Sequence, residues 1–180
     1  MKRLLVCTGL LVAATALFAQ QNPPLSPPAT ESASIGGKAI TITYGSPRVR
    51  GRASHIFTAD GLISHEPHYP VWRAGANSAT KLHIEANLDL GSLAVPEGDY
   101  TLYVDISDPA GWVLIVNKQT GQWGTVYDKA QDLGRVKLTM EKPPAPVEEL
   151  KYTVKDLGSG KGTLSLVWEN LCGSVSIAVR

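Results

Sequence analysis

Cysteine is almost missing from this 180-residue chain, which carries only Cys7 and Cys172. A disulfide framework is therefore excluded, and the folded part must be held by its apolar core. An excess of one charge is missing as well: 17 Lys and Arg stand against 16 Asp and Glu, with no basic run. That excludes a protein that binds nucleic acid by neutralising phosphates. Phe and Met are scarce, at two residues each. Beyond the N-terminal segment, no stretch of about 12 residues or more repeats its apolar positions with a helical period, which excludes a helical bundle. What is plentiful is glycine and proline, 17 and 12 residues, the composition of a chain with many turns between short strands.

The one long apolar run is at the start. Lys2 and Arg3 precede Leu4 to Phe18, and Ala19 ends the run before the polar Gln20-Gln21-Asn22. This is the three-part pattern of a secretory signal peptide, too short for a spanning helix with normal flanks. A lipoprotein reading of Leu4-Leu5-Val6-Cys7 leaves only three apolar residues before the cysteine and is set aside. Residues 1–19 are thus expected to be cleaved, the protein to be periplasmic or secreted, and the mature chain to have no transmembrane helix. Loss of Lys2 and Arg3 takes the basic count from 17 to 15 against 16 acidic residues, a formal charge of −1. Cys172 is left as the only thiol, flanked by apolar strand segments, where a cysteine serves as a small hydrophobe more readily than as a nucleophile.

Residues 20–37 include Asn22-Pro23-Pro24-Leu25-Ser26-Pro27-Pro28 and are expected to form a Pro-rich flexible leader. From Lys38 onward alternation with a period of two dominates. Ile40, Ile42 and Tyr44 share one face; Leu82, Ile84 and Ala86 share another; Tyr100, Leu102, Val104 and Ile106 share a third. Trp112 to Asn117 is continuously apolar before its final Asn, as suits a strand buried on both faces. Further strands are expected at Val136 to Met140, Leu150 to Val154, Leu164 to Trp168 and Val175 to Val179, with Lys142-Pro143-Pro144-Ala145-Pro146 as a loop crossing between sheets. The expected fold is all-β: one antiparallel β-sandwich of about eight or nine strands over residues 38–180.

Gly45 to Ala79 breaks the alternation and concentrates Arg48, Arg50, Arg52, three of the four histidines (His55, His65, His68) and Trp72-Arg73-Ala74-Gly75-Ala76-Asn77. Together with Ser46-Pro47-Arg48-Val49-Arg50-Gly51-Arg52, the turn Pro96-Glu97-Gly98-Asp99-Tyr100, the run Asn117-Lys118-Gln119-Thr120-Gly121-Gln122-Trp123-Gly124, and Trp168-Glu169-Asn170, this resembles the domain-of-unknown-function 2911 family of exported bacterial proteins. The resemblance runs from about Ala39 to Asn170 and implies an exported protein with no activity to carry over. It also marks Ala53 to Pro67, with His55 and His65, as a local elaboration, since family members commonly pass quickly from the Gly-Arg pair to the Trp-Arg motif.

Irregular segments on a rigid scaffold are where binding residues gather. Arg73 offers a planar fork to carboxylate, phosphate or sugar hydroxyls, Asn77 a donor and an acceptor, and Trp72 an apolar face. The candidate ligand-binding set is Arg52, Trp72, Arg73 and Asn77, with Trp123 and Tyr127. Against it stands a structural role, in which Arg73 and Asn77 pin the long connection through its carbonyls. His65-Glu66-Pro67-His68 has neither the His-Glu-x-x-His spacing nor an evident third ligand, so no metal is assigned, and no cofactor. Gly158-Ser159-Gly160-Lys161-Gly162 lacks the first glycine and the hydroxyl of a phosphate-binding loop and reads as a hairpin turn.

The leading expectation is a non-catalytic binding or envelope-interaction module that takes a saccharide, a cell-envelope component or a small polar ligand, with no nucleic acid. The alternatives are a hydrolase-like enzyme using His65 or His68 with a carboxylate or metal, and a structural or protein-interaction subunit.

Overall fold

The computed structural model describes residues 24–180. The expected signal segment, residues 1–19, and the first part of the expected leader, residues 20–23, lie outside the described residues. Thirteen strands follow in order: β1 (Pro28–Ile35), β2 (Lys38–Gly45), β3 (Val71–Trp72), β4 (Thr80–Ile84), β5 (Leu88–Leu90), β6 (Leu93–Val95), β7 (Gly98–Asp105), β8 (Val113–Asn117), β9 (Asp132–Lys137), β10 (Thr139–Glu141), β11 (Val147–Gly158), β12 (Lys161–Glu169) and β13 (Leu171–Val179). Two antiparallel sheets result. In the first, β1-β2-β4-β7-β8-β9 lie side by side, and β3 also pairs with β7. In the second, the order is β11-β12-β13-β5-β6, and β10 also pairs with β13.

The alternating segments behave as their pattern requires. In β4, Leu82 and Ile84 are buried while Lys81 and His83 face water. One core cluster draws Ile40, Ile42, Leu82, Leu102 and Leu114 from the first sheet and Leu88, Tyr152, Leu164, Leu166 and Ile177 from the second. β8 is buried on both faces because the loop after it folds back over the outer side, where Tyr103 and Ile115 are covered. Among the described residues, no helix is long and apolar enough to cross a membrane.

Three expectations need correction. The strand count is thirteen rather than eight or nine, because four strands of two or three residues and β1 carry no strong alternation. The leader does not extend to residue 37: Pro28–Ile35 pairs along its whole length with β2. Its inward side chains are only Ala29, Glu31, Ala33 and Ile35, a pattern too weak in bulk to read as a strand. Finally, the chain changes sheets at Leu138 rather than in the Pro-rich loop. Val136 to Met140 divides between β9 and β10, with Leu138 buried and its N–H donated to the Trp112 carbonyl at 2.8 Å. Lys142–Pro146 merely joins two strands of the second sheet.

Edge strand β11 is sealed by the first sheet. Its outward N–H groups at Leu150, Tyr152 and Val154 are donated to the Pro47 carbonyl (2.9 Å), the Tyr44 hydroxyl (3.3 Å) and Glu31 Oε1 (3.0 Å). An edge capped in this way offers no ladder to another chain.

Candidate functional site

The irregular segment is built by anchoring rather than by pairing. Arg48 bridges to Glu149 on β11, and Val49 N–H reaches the Glu148 carbonyl at 2.8 Å. The elaboration Ala53–Pro67 then dips into the core with Ile56 and Ile63, both buried, and with Phe57. Phe57 packs against Trp72, Trp112 and Trp168 at ring-centroid distances of 5.4, 5.0 and 5.8 Å. The buried Glu169 carboxylate accepts the N–H of Ser54 and so fixes the start of the elaboration to the end of β12. After β3 the chain leaves β7 opposite Val104 and rejoins it at Thr80 opposite Leu102. Residues 73–79 are therefore an excursion rooted at both ends on one strand.

This arrangement splits the candidate set. Trp72 is 0% exposed and stacks on Trp168 at 6.0 Å, so it is a core residue and offers no face to a ligand. Its Nε1–H has no partner, an unsatisfied donor inside the aromatic cluster. Arg73 donates Nε–H to Glu66 Oε1 at 2.7 Å, and its Nη2 stands at ion-pair distance from the same oxygen, also 2.7 Å. Asn77 donates Nδ2–H to the Ser26 carbonyl at 3.3 Å. Arg73 is thus engaged by a carboxylate of its own connection, and Asn77 by a carbonyl of the leader. Trp123 is exposed, its backbone bridged to Ser78.

Tyr127 belongs to a separate network on the outer face of β7 and β8. It packs on Tyr103 at 4.9 Å, donates its hydroxyl to Asp132 Oδ2 at 2.9 Å, and accepts from Arg135 Nη2 at 2.6 Å. The buried Asn117 ties Asp132 to the loop by donating to both Asp132 Oδ1 and the Asp128 carbonyl. Burial, the hydrogen bond to Asp132 and its charge push the Tyr127 phenol up to about 12, against the smaller opposing pull of Arg135. The folded state therefore keeps this proton after the unfolded chain begins to lose it near pH 10. The stability gained is complete below about pH 10 and disappears as pH rises through about 12. Urea unfolding at several alkaline pH values is expected to show a shallower decline in Tyr127→Phe than in the parent; identical slopes would contradict the network.

The histidines do not converge with other ligands. His65 Nδ1 lies 2.8 Å from the Gly61 carbonyl, whereas His68 packs edge-on to Tyr127 at 5.6 Å. Among the described residues, no group of three His, Cys, Asp or Glu side chains is placed to hold a metal ion. Cys172 is half-buried on β13, and burial pushes its thiol up, away from the reactive thiolate.

What the structure does assemble is a cleft of about 390 Å³ walled by Arg50, Arg52, Arg73, His65 and Glu66, with Leu25 and Ser26 along one rim. Two of its guanidinium groups are neutralised: Arg73 by Glu66, and Arg48 by Glu149 at 2.6 Å. Arg50 and Arg52 have no ion pair among the described residues. Arg52 is held by carbonyl oxygens alone, Nε–H to Val49 at 3.0 Å and Nη2–H to Arg48 at 2.6 Å. Arg50 donates Nη2–H to the Leu25 carbonyl at 3.1 Å. Arg52 and Arg73, both in the candidate set, line this one cleft; sequence reasoning missed Glu66 as the partner of Arg73 and gave Arg50 no role. A lone Glu seven residues before an Arg in an irregular segment carries no signal of contact.

No curated protein and no solved structure matches the chain. A family model described as "Protein of unknown function (DUF2911)" matches residues 26–177, from before β1 into β13, and the chain belongs to that family.

Proposed function

We propose that the protein is an exported, non-catalytic binding module, a sandwich of its two sheets, that captures a small anionic ligand in the Arg50–Arg52 cleft. One observation carries this reading. The Arg52 guanidinium is oriented by two main-chain carbonyls yet faces no carboxylate, so its position is fixed while its charge is unanswered. A carboxylate or phosphate at that point gains charge-assisted hydrogen bonds from a group already ordered. Periplasmic or extracellular placement follows from the N-terminal pattern and belongs to the same proposal.

Titration calorimetry with inorganic phosphate at low ionic strength tests it. Arg52→Ala is expected to weaken binding roughly ten-fold, the size of one charge-assisted contact. Glu66→Gln removes the one carboxylate lining the cleft and is expected to tighten binding, and added salt to weaken it. Binding that ignores both substitutions, or no binding by the parent chain, overturns the proposal.

A further inference from the structure

The arginine cleft does not end at its rim. A second hollow, about 510 Å³, shares Ser26 and Ala76 with it, and a third, about 360 Å³, shares Thr43 and Lys81 with the second. The three form one path. It starts at Arg52, crosses the rim of Leu25 and Ser26, and continues over the outer face of β2, β4 and β7.

The chemistry changes along this path. Past the guanidinium end, the second hollow presents the exposed Thr43 and Thr120, with Asn77 and Gln122 beside them and the buried Thr101 beneath, and has no carboxylate in its wall. Its single cation, Lys81, is answered by Asp99 at 3.2 Å, and hydrogen bonds from His83 and Lys81 hold Asp99 below the usual carboxylate range. Gln122 Oε1 is buried beside this wall with no partner, while its amide nitrogen is within reach of Thr101 Oγ1 and the Tyr103 hydroxyl. Hydroxyls and amides that both donate and accept match the hydroxyl groups of a sugar.

An extended peptide fits this path poorly. Peptides commonly join a sheet by adding to a free edge, but β2, β4 and β7 are interior strands, each with a neighbour on both sides. A ligand on their outer face meets side chains, not vacant main-chain groups.

We propose that the three hollows are one groove for a linear acidic saccharide, with a carboxylate at Arg52 and neutral hydroxyls over Thr43 and Thr120. This deepens the anion-binding reading and rests on it. The rim is lightly held, by the 3.3 Å bond from Asn77 to the Ser26 carbonyl and the 3.1 Å bond from Arg50 to that of Leu25. A chain crossing at Leu25 and Ser26 competes with those two bonds, while the next residue, Pro27, stays pinned through its carbonyl by the Ser46 N–H at 2.8 Å.

Calorimetry with the full chain and four probes tests the groove: galacturonate, tetragalacturonate, maltotetraose and tetraglutamate. Tetragalacturonate is expected to bind about ten-fold tighter than any of the others. Arg52→Ala should weaken both uronates, whereas Thr43→Val should weaken only tetragalacturonate, about three-fold, the value of one hydrogen bond. Thr43 is exposed on β2, and valine keeps its shape and strand preference, so folding is preserved. A tetramer no tighter than the monomer, or a silent Thr43→Val, overturns the continuous groove while leaving anion capture at Arg52 intact. Tetraglutamate binding as tightly as tetragalacturonate overturns the saccharide in favour of an acidic peptide. No binding of galacturonate or phosphate brings down the anion site itself and the groove with it.

Discussion

Trp72→Ala is expected to cost about 3–5 kcal/mol, the range for deleting a large aromatic from a packed interior. Domains of this size have total stabilities of roughly 5–15 kcal/mol, so the variant should be marginal. With an urea dependence of about 2 kcal/mol per molar, the midpoint should fall by about 2 M. The size follows from position: Trp72 is wholly buried, stacked on Trp168, and touched edge-on by Phe57 and Trp112. Phe57 is the anchor that the Ala53–Pro67 elaboration sends into the core, so the loop should loosen with the cluster and become open to proteolysis first. Trp72→Phe separates the two terms. It removes ring volume but also a buried N–H without a partner, which costs about 1–3 kcal/mol where it stands. The phenylalanine variant should therefore lie close to the parent. A Trp72→Ala midpoint near that of the parent would mean that the indole is not in the core, and would restore it as a candidate ligand platform.

That Trp72 had been a reasonable ligand candidate shows where sequence legibility ends. Alternation assigns faces in a strand of five or more residues, as in β2, β4 and β7, because several side chains vote together. β3 has two residues, and nothing in Val71-Trp72 says which one points inward. β1 escaped notice for a related reason. It lies at the edge beside Pro27 and fills its inward face with Ala29 and Ala33, so its stability comes from pairing with β2 and from Glu31 reaching β11, neither of which has a compositional mark. In β9 and β10 the opposite happened: one apolar run serves two sheets because Leu138 turns the chain between them. At the site, residue types were legible but partners were not. Arg52, Arg73 and Asn77 stand out in the sequence as polar groups on an irregular segment. Whether such a group is free depends on Glu66, Arg48, Val49 and Ser26, and those distances exist only after folding.

Gly45→Ala should produce the second large effect, and by a different cause. A Cβ at Gly45 would stand 2.2 Å from the carbonyl oxygen of Ala76 and 2.9 Å from its carbonyl carbon. Both are main-chain atoms of the 73–79 excursion, which cannot swing aside as a side chain would. Ala76 N–H is also donated to the Gly45 carbonyl at 3.1 Å, so the contact that the methyl group forces apart is the one that docks the excursion on β2. Overpacking of this kind costs about 1–3 kcal/mol, and rigid backbone on the receiving side places this case at the upper end. Gly121→Ala is the control. Its φ of +82° strains any side chain, but nothing lies within 4 Å of the added Cβ, so only the torsional cost of about 1 kcal/mol is expected. The two variants should also part in function. Ala76 is shared by the arginine cleft and its neighbour, so displacing it should weaken tetragalacturonate binding in Gly45→Ala beyond anything seen in Gly121→Ala. Gly45 itself has no left-handed φ, so no torsional cost is expected there, and a loss in Gly45→Ala no larger than that in Gly121→Ala would show that β2 and residues 75 and 76 move apart at little cost.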